Sequence, residues 1–195
     1  MGNKKQINKK RFLYPDEFLK MLDYCNKNQK FLSTCLINTG ARISEVRGIQ
    51  LKHLSSERKS IILEKTKVRA KRGEKTPEPR IIAVSSQFFK YIKENLPKHR
   101  FLSTSSFNTG IKKACKKAGI PKPDEISAHK FRKTFGTWML ALGVDGFKLA
   151  QHLGHTPTEL AKDYATNDVF SYKDKTLMKQ ILGNLPERFL TRWKY

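Results

Sequence analysis

Two short apolar runs, Ile61-Ile62-Leu63 and residues 80–84, bracket a stretch dense in lysine and arginine, and every other patterned stretch of the chain repeats at helical spacing. That arrangement constrains the fold more than any other feature. β-Branched runs of this length read as strands, and two of them joined by one connection read as an antiparallel hairpin. The connection, residues 65–79, carries Gly73 and two prolines, so it is expected to form a long, basic hairpin tip. So small a sheet cannot enclose a core alone, and helices must supply the rest.

The helical stretches run in order. Pro15 opens the first, with Phe18, Leu19 and Leu22 on one face and Cys25 at its end. Residues 29–38 turn Phe31, Leu32, Cys35 and Leu36 inward and stop at Gly40, which suits a left-handed C-cap. A short helix covers 43–48. After the strands come 85–95, with Phe88, Phe89 and Ile92 inward, then 107–118, a proline-rich turn at 121–123, and 126–142 ended by Gly143. Residues 145–153 stop at Gly154. Residues 156–165 begin with Thr156 as N-cap and Pro157 at the first position, and 172–182 close the series. No repeat or linker divides the chain. The expected fold is mainly α with a small antiparallel β-hairpin sheet, preceded by a disordered basic arm (1–11) and followed by a helical tail (173–195).

Charge narrows the function. Forty Lys and Arg against 17 Asp and Glu give +23 on 195 residues. Self-repulsion of that size calls for a polyanionic partner. The cations are spread along the chain, so a folded surface carries the field, and nucleic acid fits better than an anionic membrane or a merely solvated surface. No run reaches the roughly eighteen apolar residues of a membrane helix. The basic N-terminus lacks the apolar stretch of a secretory signal. Cys25, Cys35 and Cys115 form neither a disulfide framework nor a zinc pattern, which indicates a reducing compartment.

Several polar residues sit where helix packing does not require them. Arg42 stands at a helix start, where a guanidinium and open N–H groups can meet an anion together. His129 and Arg132 are three apart and share a helix face. Tyr164 follows His155 by nine residues. Alone, each is read most simply as a solvated or packed side chain. His152 and His155 could serve as metal ligands, but zinc needs four donors and neither a cysteine nor a carboxylate pair is near. Tyr172 is a rival to Tyr164 as a nucleophile, but lies farther from His155.

The order of the pieces changes the odds. Thr-Gly-Ala-Arg42-Ile-Ser-Glu45, a basic hairpin, His129-Lys-Phe-Arg132, Leu-Gly-His155 and then Tyr164 resembles the tyrosine recombinase (phage integrase) family. The segment 12–17 resembles the family's entry into its catalytic domain, and the likeness spans 12–172. It implies the tyrosine recombinase catalytic-domain fold and metal- and ATP-independent cleavage and rejoining of double-stranded DNA, with no cofactor. Tyr164 would attack phosphorus to give a 3′-phosphotyrosine, Arg42 and Arg132 would clamp the phosphate, and His129 and His155 would bond it. Glu45 would support these residues from behind. A hairpin lysine would be the general acid: Lys75, at the Lys-Thr turn before the strand, with Lys65 and Lys67 as alternatives. Ala83 stands where members usually have proline.

The resemblance further implies a site-specific recombinase or integrase of mobile-element, viral or cellular origin, working inside the cell at the nucleoid, monomeric when free and a homo-oligomer (tetramer) on DNA. Members usually carry an N-terminal helical domain that completes a clamp around DNA, so this chain is expected to be a catalytic domain without it, whether excised or naturally short. A type IB topoisomerase shares the chemistry, and an inactive basic DNA-binding module is the non-enzyme alternative. Residues 173–195, with Leu177, Ile181, Leu182, Leu185, Phe189 and Trp193, can pack in cis or reach a neighbour.

Overall fold

The computed structural model describes residues 12–64, 79–164 and 169–190, without the side chains of 162–164 and Leu190. The described residues form ten α-helices and one three-stranded antiparallel sheet.

α1 (Pro15–Asp23) starts on proline, and the Glu17 carboxylate accepts the Tyr14 N–H at 3.0 Å. Phe18, Met21 and Cys25 are buried, whereas Leu19 is 39% exposed. The inward face therefore follows 18, 21, 22 and 25, and Leu19, expected inside, lies off that stripe. α2 (Lys27–Thr39) is capped reciprocally by Asn26 and Gln29, each bond 2.9 Å. Its Phe31, Leu32, Cys35, Leu36 and Ile37 are all fully buried. α3 (Ile43–Arg47) follows within four residues of Thr39.

In the sheet, β1 (Leu54–Ser55) pairs with β2 (Ser60–Leu63), and β2 pairs with β3 (Arg80–Ala83). Ile61 faces Ile82 across the inner side, both buried; Ile62 faces Ile81 on the outer side, both exposed. The two-residue β1 carries too little pattern to be legible in the sequence.

α4 (Ser86–Asn95) and α5 (Thr104–Lys117) start on the serine caps Ser85 and Ser103. α6 (Ala128–Ala141) is the central helix, burying Phe131, Phe135, Trp138 and Met139 against α2 and α5. Two bonds stitch the entry segment to it: Leu13 N–H donates to Thr134 Oγ1 at 3.0 Å, and Trp138 Nε1 donates to the Leu13 carbonyl at 2.9 Å. The rings of Phe12, Tyr14 and Phe170 meet at 5.3 to 5.5 Å, so the entry also holds Phe170, just ahead of α9.

α7 (Gly146–Leu153) and α8 (Pro157–Tyr164) pack on α6. α9 (Tyr172–Leu182) covers α1, α2 and α6 with Met178 and Leu182. α10 (Leu185–Leu190) buries Leu185, and the Arg188 guanidinium donates to the carbonyls of Arg58, Lys59 and Val84. Up to residue 190 the C-terminal segment therefore packs in cis; Trp193 lies outside the described residues.

Candidate active site

The site is built where α2 ends. Gly40 takes a left-handed conformation (φ +61°), and its N–H returns to the Leu36 carbonyl. A Cβ there would lie 2.3 Å from the Phe135 ring and 2.9 Å from Leu153, so the close approach of α2 to α6 and α7 requires glycine. The chain then turns and Arg42 becomes the N-cap of α3.

Arg42 donates its backbone N–H to Glu45 Oε2 at 2.7 Å and Nη1 to Oε1 at 3.3 Å. Glu45 is 7% exposed, and Arg80 of β3 grips the same carboxylate with Nη1 at 2.6 Å and Nη2 at 2.9 Å. Burial pushes the Glu45 carboxyl up, but hydrogen bonds and charge from Arg80, joined by Arg42, hold it below the ordinary carboxylate range. The anion is thus the stable form, shared by two guanidinium groups.

Arg132 rises from α6 and is 2% exposed. Its Nη1 donates to the Gly40 carbonyl at 2.9 Å, and its Nη2 makes a short bond to the Leu153 carbonyl. The side chain is locked by backbone from two elements before any ligand arrives. His129 sits one turn earlier on α6 and is exposed. Asn108 Oδ1 accepts the Ala128 N–H at 2.8 Å, pinning the start of α6 to α5. A cleft of about 310 Å³ opens here, lined by Arg42, Ser44, Thr104, Asn108, Ser127, His129 and Arg132. Two guanidinium groups, an imidazole and the positive end of a fourteen-residue helix make it suited to an oxyanion.

α7 ends in a Schellman turn. Gly154 (φ +67°) sends its N–H to the Gln151 carbonyl and His155 sends its own to Ala150 at 2.9 Å, which throws His155 clear of the helix, half-buried. Arg80 Nε donates to the His152 carbonyl at 3.1 Å, so the same guanidinium that holds Glu45 holds this turn.

His152 stacks on Phe135 at 5.3 Å, meets Phe189 edge-on at 5.2 Å, and donates Nε2–H to the Thr39 carbonyl at 2.9 Å. Burial lowers its pKa to about 4, the Thr39 bond opposes this, and Arg80 and Arg132 add to the fall. It is a neutral strut between α2 and α7. Among the described residues no group of three His, Cys, Asp or Glu converges as a metal site would require, and none of their helices is long and apolar enough to cross a membrane.

Of the residues singled out by sequence, Arg42, His129 and Arg132 line one cleft, with Glu45 bonded to Arg42. His155 follows the turn whose Leu153 carbonyl receives Arg132. Tyr164 is the last residue of α8; its side chain lies outside the described residues, as do Lys65, Lys67 and Lys75. Sequence reasoning missed Arg80, the strut His152 and the polar lining from Ser44, Thr104, Asn108 and Ser127. For Arg80 a signal existed: a cation opening an otherwise apolar strand.

The phage integrase family model matches residues 11–169. No curated protein matches the chain. Among solved structures, the XerA recombinase is similar at TM-score 0.62 and 18% identity, over 92% of this chain and 66% of that one. The Tn1549 transposon integrase in complex with circular intermediate DNA gives 0.64 and 18%, over 89% and 67%. The catalytic domain of bacteriophage HP1 integrase gives 0.55 and 22%, over 77% and 84%. The chain thus spans about two thirds of the length of the first two proteins. At these identities the structural likeness speaks for the fold, and the family match, which covers most of the sequence, decides the rest: the chain belongs to the phage integrase family.

Proposed function

We propose that this chain is the catalytic domain of a site-specific DNA recombinase that cleaves and rejoins strands through a 3′-phosphotyrosine on Tyr164. The cleft that gathers Arg42, His129 and Arg132 carries this reading. Negative charge builds on the non-bridging oxygens as phosphorus becomes five-coordinate, and donors fixed in advance stabilise that charge without reorganising. Arg132, held by two carbonyls, is such a donor; Arg42, tethered by Glu45, is the second.

The proposed step conserves bonds. The Tyr164 oxygen attacks phosphorus as its proton passes to His129. The bond to the 5′-oxygen breaks, and that oxygen takes a proton from the hairpin lysine, assigned to Lys75 with Lys65 and Lys67 as alternatives. His155 donates to a phosphate oxygen. Religation runs the sequence backwards with a 5′-hydroxyl as nucleophile, so neither ATP nor a metal enters. The catalytic unit is 12–172, working as a homo-oligomer on duplex DNA, as exchange between two sites requires.

Duplex DNA nicked beside the cut site, which loses the leaving strand after cleavage, tests this. The wild type should form a covalent adduct that persists in EDTA, and Tyr164→Phe should form none. An adduct in Tyr164→Phe, or one abolished by EDTA, contradicts the proposal.

A further inference from the structure

We infer that Arg80 is a positioning residue for the phosphate clamp, setting Arg42 through Glu45 and holding the turn that carries His155 and the Leu153 carbonyl on which Arg132 rests. This rests on the reading of Arg42, Arg132 and His155 as phosphate ligands.

The geometry is that of one planar group bonded along two edges. Both terminal nitrogens meet both oxygens of Glu45, and Nε meets the His152 carbonyl. A lysine, with a single point charge, cannot reproduce this fork. The Arg80 side chain is 20% exposed and its partner Glu45 only 7%, so the pair is shielded from water. Gly154 lies against the same guanidinium, its Cβ direction pointing at Nη1 and Cζ at 3.5 and 3.6 Å. Arg80 is also the first residue of β3, paired with Leu63, where the connection that carries the candidate general acids rejoins the fold. One side chain therefore registers that strand against both the start of α3 and the end of α7.

Its removal has a defined consequence. Glu45 is faced by Arg42 from α3 and Arg80 from β3. Without Arg80, a buried carboxylate retains a half-exposed Arg42 at 3.3 Å as its cation. Either it draws Arg42 onto itself, away from the cleft, or it takes a proton and releases Arg42. Both outcomes disturb the clamp.

The test uses the nicked duplex with wild type, Arg80→Ala and Arg80→Lys, separating DNA affinity from the adduct rate at saturating DNA, and follows the Glu45 carboxyl by ¹³C NMR titration. Arg80→Ala should lower the saturated rate about tenfold or more, since small displacements of positioned groups are costly. Its DNA affinity should stay within about threefold, because most contacts are to phosphates elsewhere, and Glu45 should titrate higher than in wild type. Arg80→Lys should restore the Glu45 titration but only part of the rate. A wild-type rate in Arg80→Ala overturns the inference, as does an unchanged Glu45 titration. If Arg80→Ala fails to fold by circular dichroism, Arg80→Lys decides alone, and a full wild-type rate overturns it. A wild type that forms no adduct counts against the proposed function; the Glu45 titration still decides the Arg80 linkage.

Discussion

Arg132 directs two of its five N–H donors at protein carbonyls, and this arrangement fixes what a substitution would do. Lysine at this position keeps the charge but cannot bridge Gly40 and Leu153. Arg132→Lys should therefore cost roughly 2 kcal/mol of stability and slow adduct formation on the order of a hundredfold, read by urea unfolding and the nicked-duplex assay. His152 makes a different prediction. Its folded pKa, about 4, lies below the ordinary 6.5, so the fold favours the neutral ring. The stability this contributes is complete above pH 6.5 and is lost as pH falls towards 4, by at most on the order of 3 kcal/mol. Glu45, whose value is also lowered, adds a loss below its ordinary 4.5. His152→Phe should flatten the first window and leave the second, in urea midpoints measured across pH. At this scale the order of the chain singles out Arg42, His129 and Arg132, and the fold brings the three to one cleft. Arg80 was missed because its partner lies 35 residues away on α3, and only the folded chain brings them together.

The helix ends carry the site, and two glycines separate conformation from contact. Gly40 and Gly154 both have positive φ, but a Cβ on Gly40 overlaps Phe135 whereas one on Gly154 makes ordinary contact with Arg80. Gly154→Ala should cost about 1 kcal/mol, the backbone term alone. Gly40→Ala should cost about 3 kcal/mol or more, since the helices must also move apart. Unfolding midpoints would show equal losses if contact played no part. The sequence located the other helices and both longer strands, because their apolar spacing is set by the core they line. It placed the start of α5 at Phe107, whereas the helix begins at Thr104: its first turn is Ser and Thr, capped by Ser103, and shows no apolar period. Likewise α6 starts at Ala128, not Ile126, because a 3₁₀ turn over Pro123–Glu125 intervenes. The six-residue α10 is too short to show a period; its place depends on Arg188 bonding to distant carbonyls.

For the whole molecule, charge and topology make the remaining predictions. With a net +23, affinity for duplex DNA should fall steeply with salt. If about six phosphates are contacted, the loss between roughly 50 and 200 mM is on the order of a thousandfold; a flat response in a binding titration would argue against a DNA partner. The sequence left open whether the C-terminal segment packs in cis or in trans, since the same apolar residues suit either; the fold seats α9 and α10 on their own chain. The proposed chemistry depends most on which atom becomes linked to DNA. Adduct trapped on nicked duplex, digested and sequenced by mass spectrometry, should carry the nucleotide on Tyr164. A nucleotide on the highly exposed Tyr172, or on any other residue, would contradict the account.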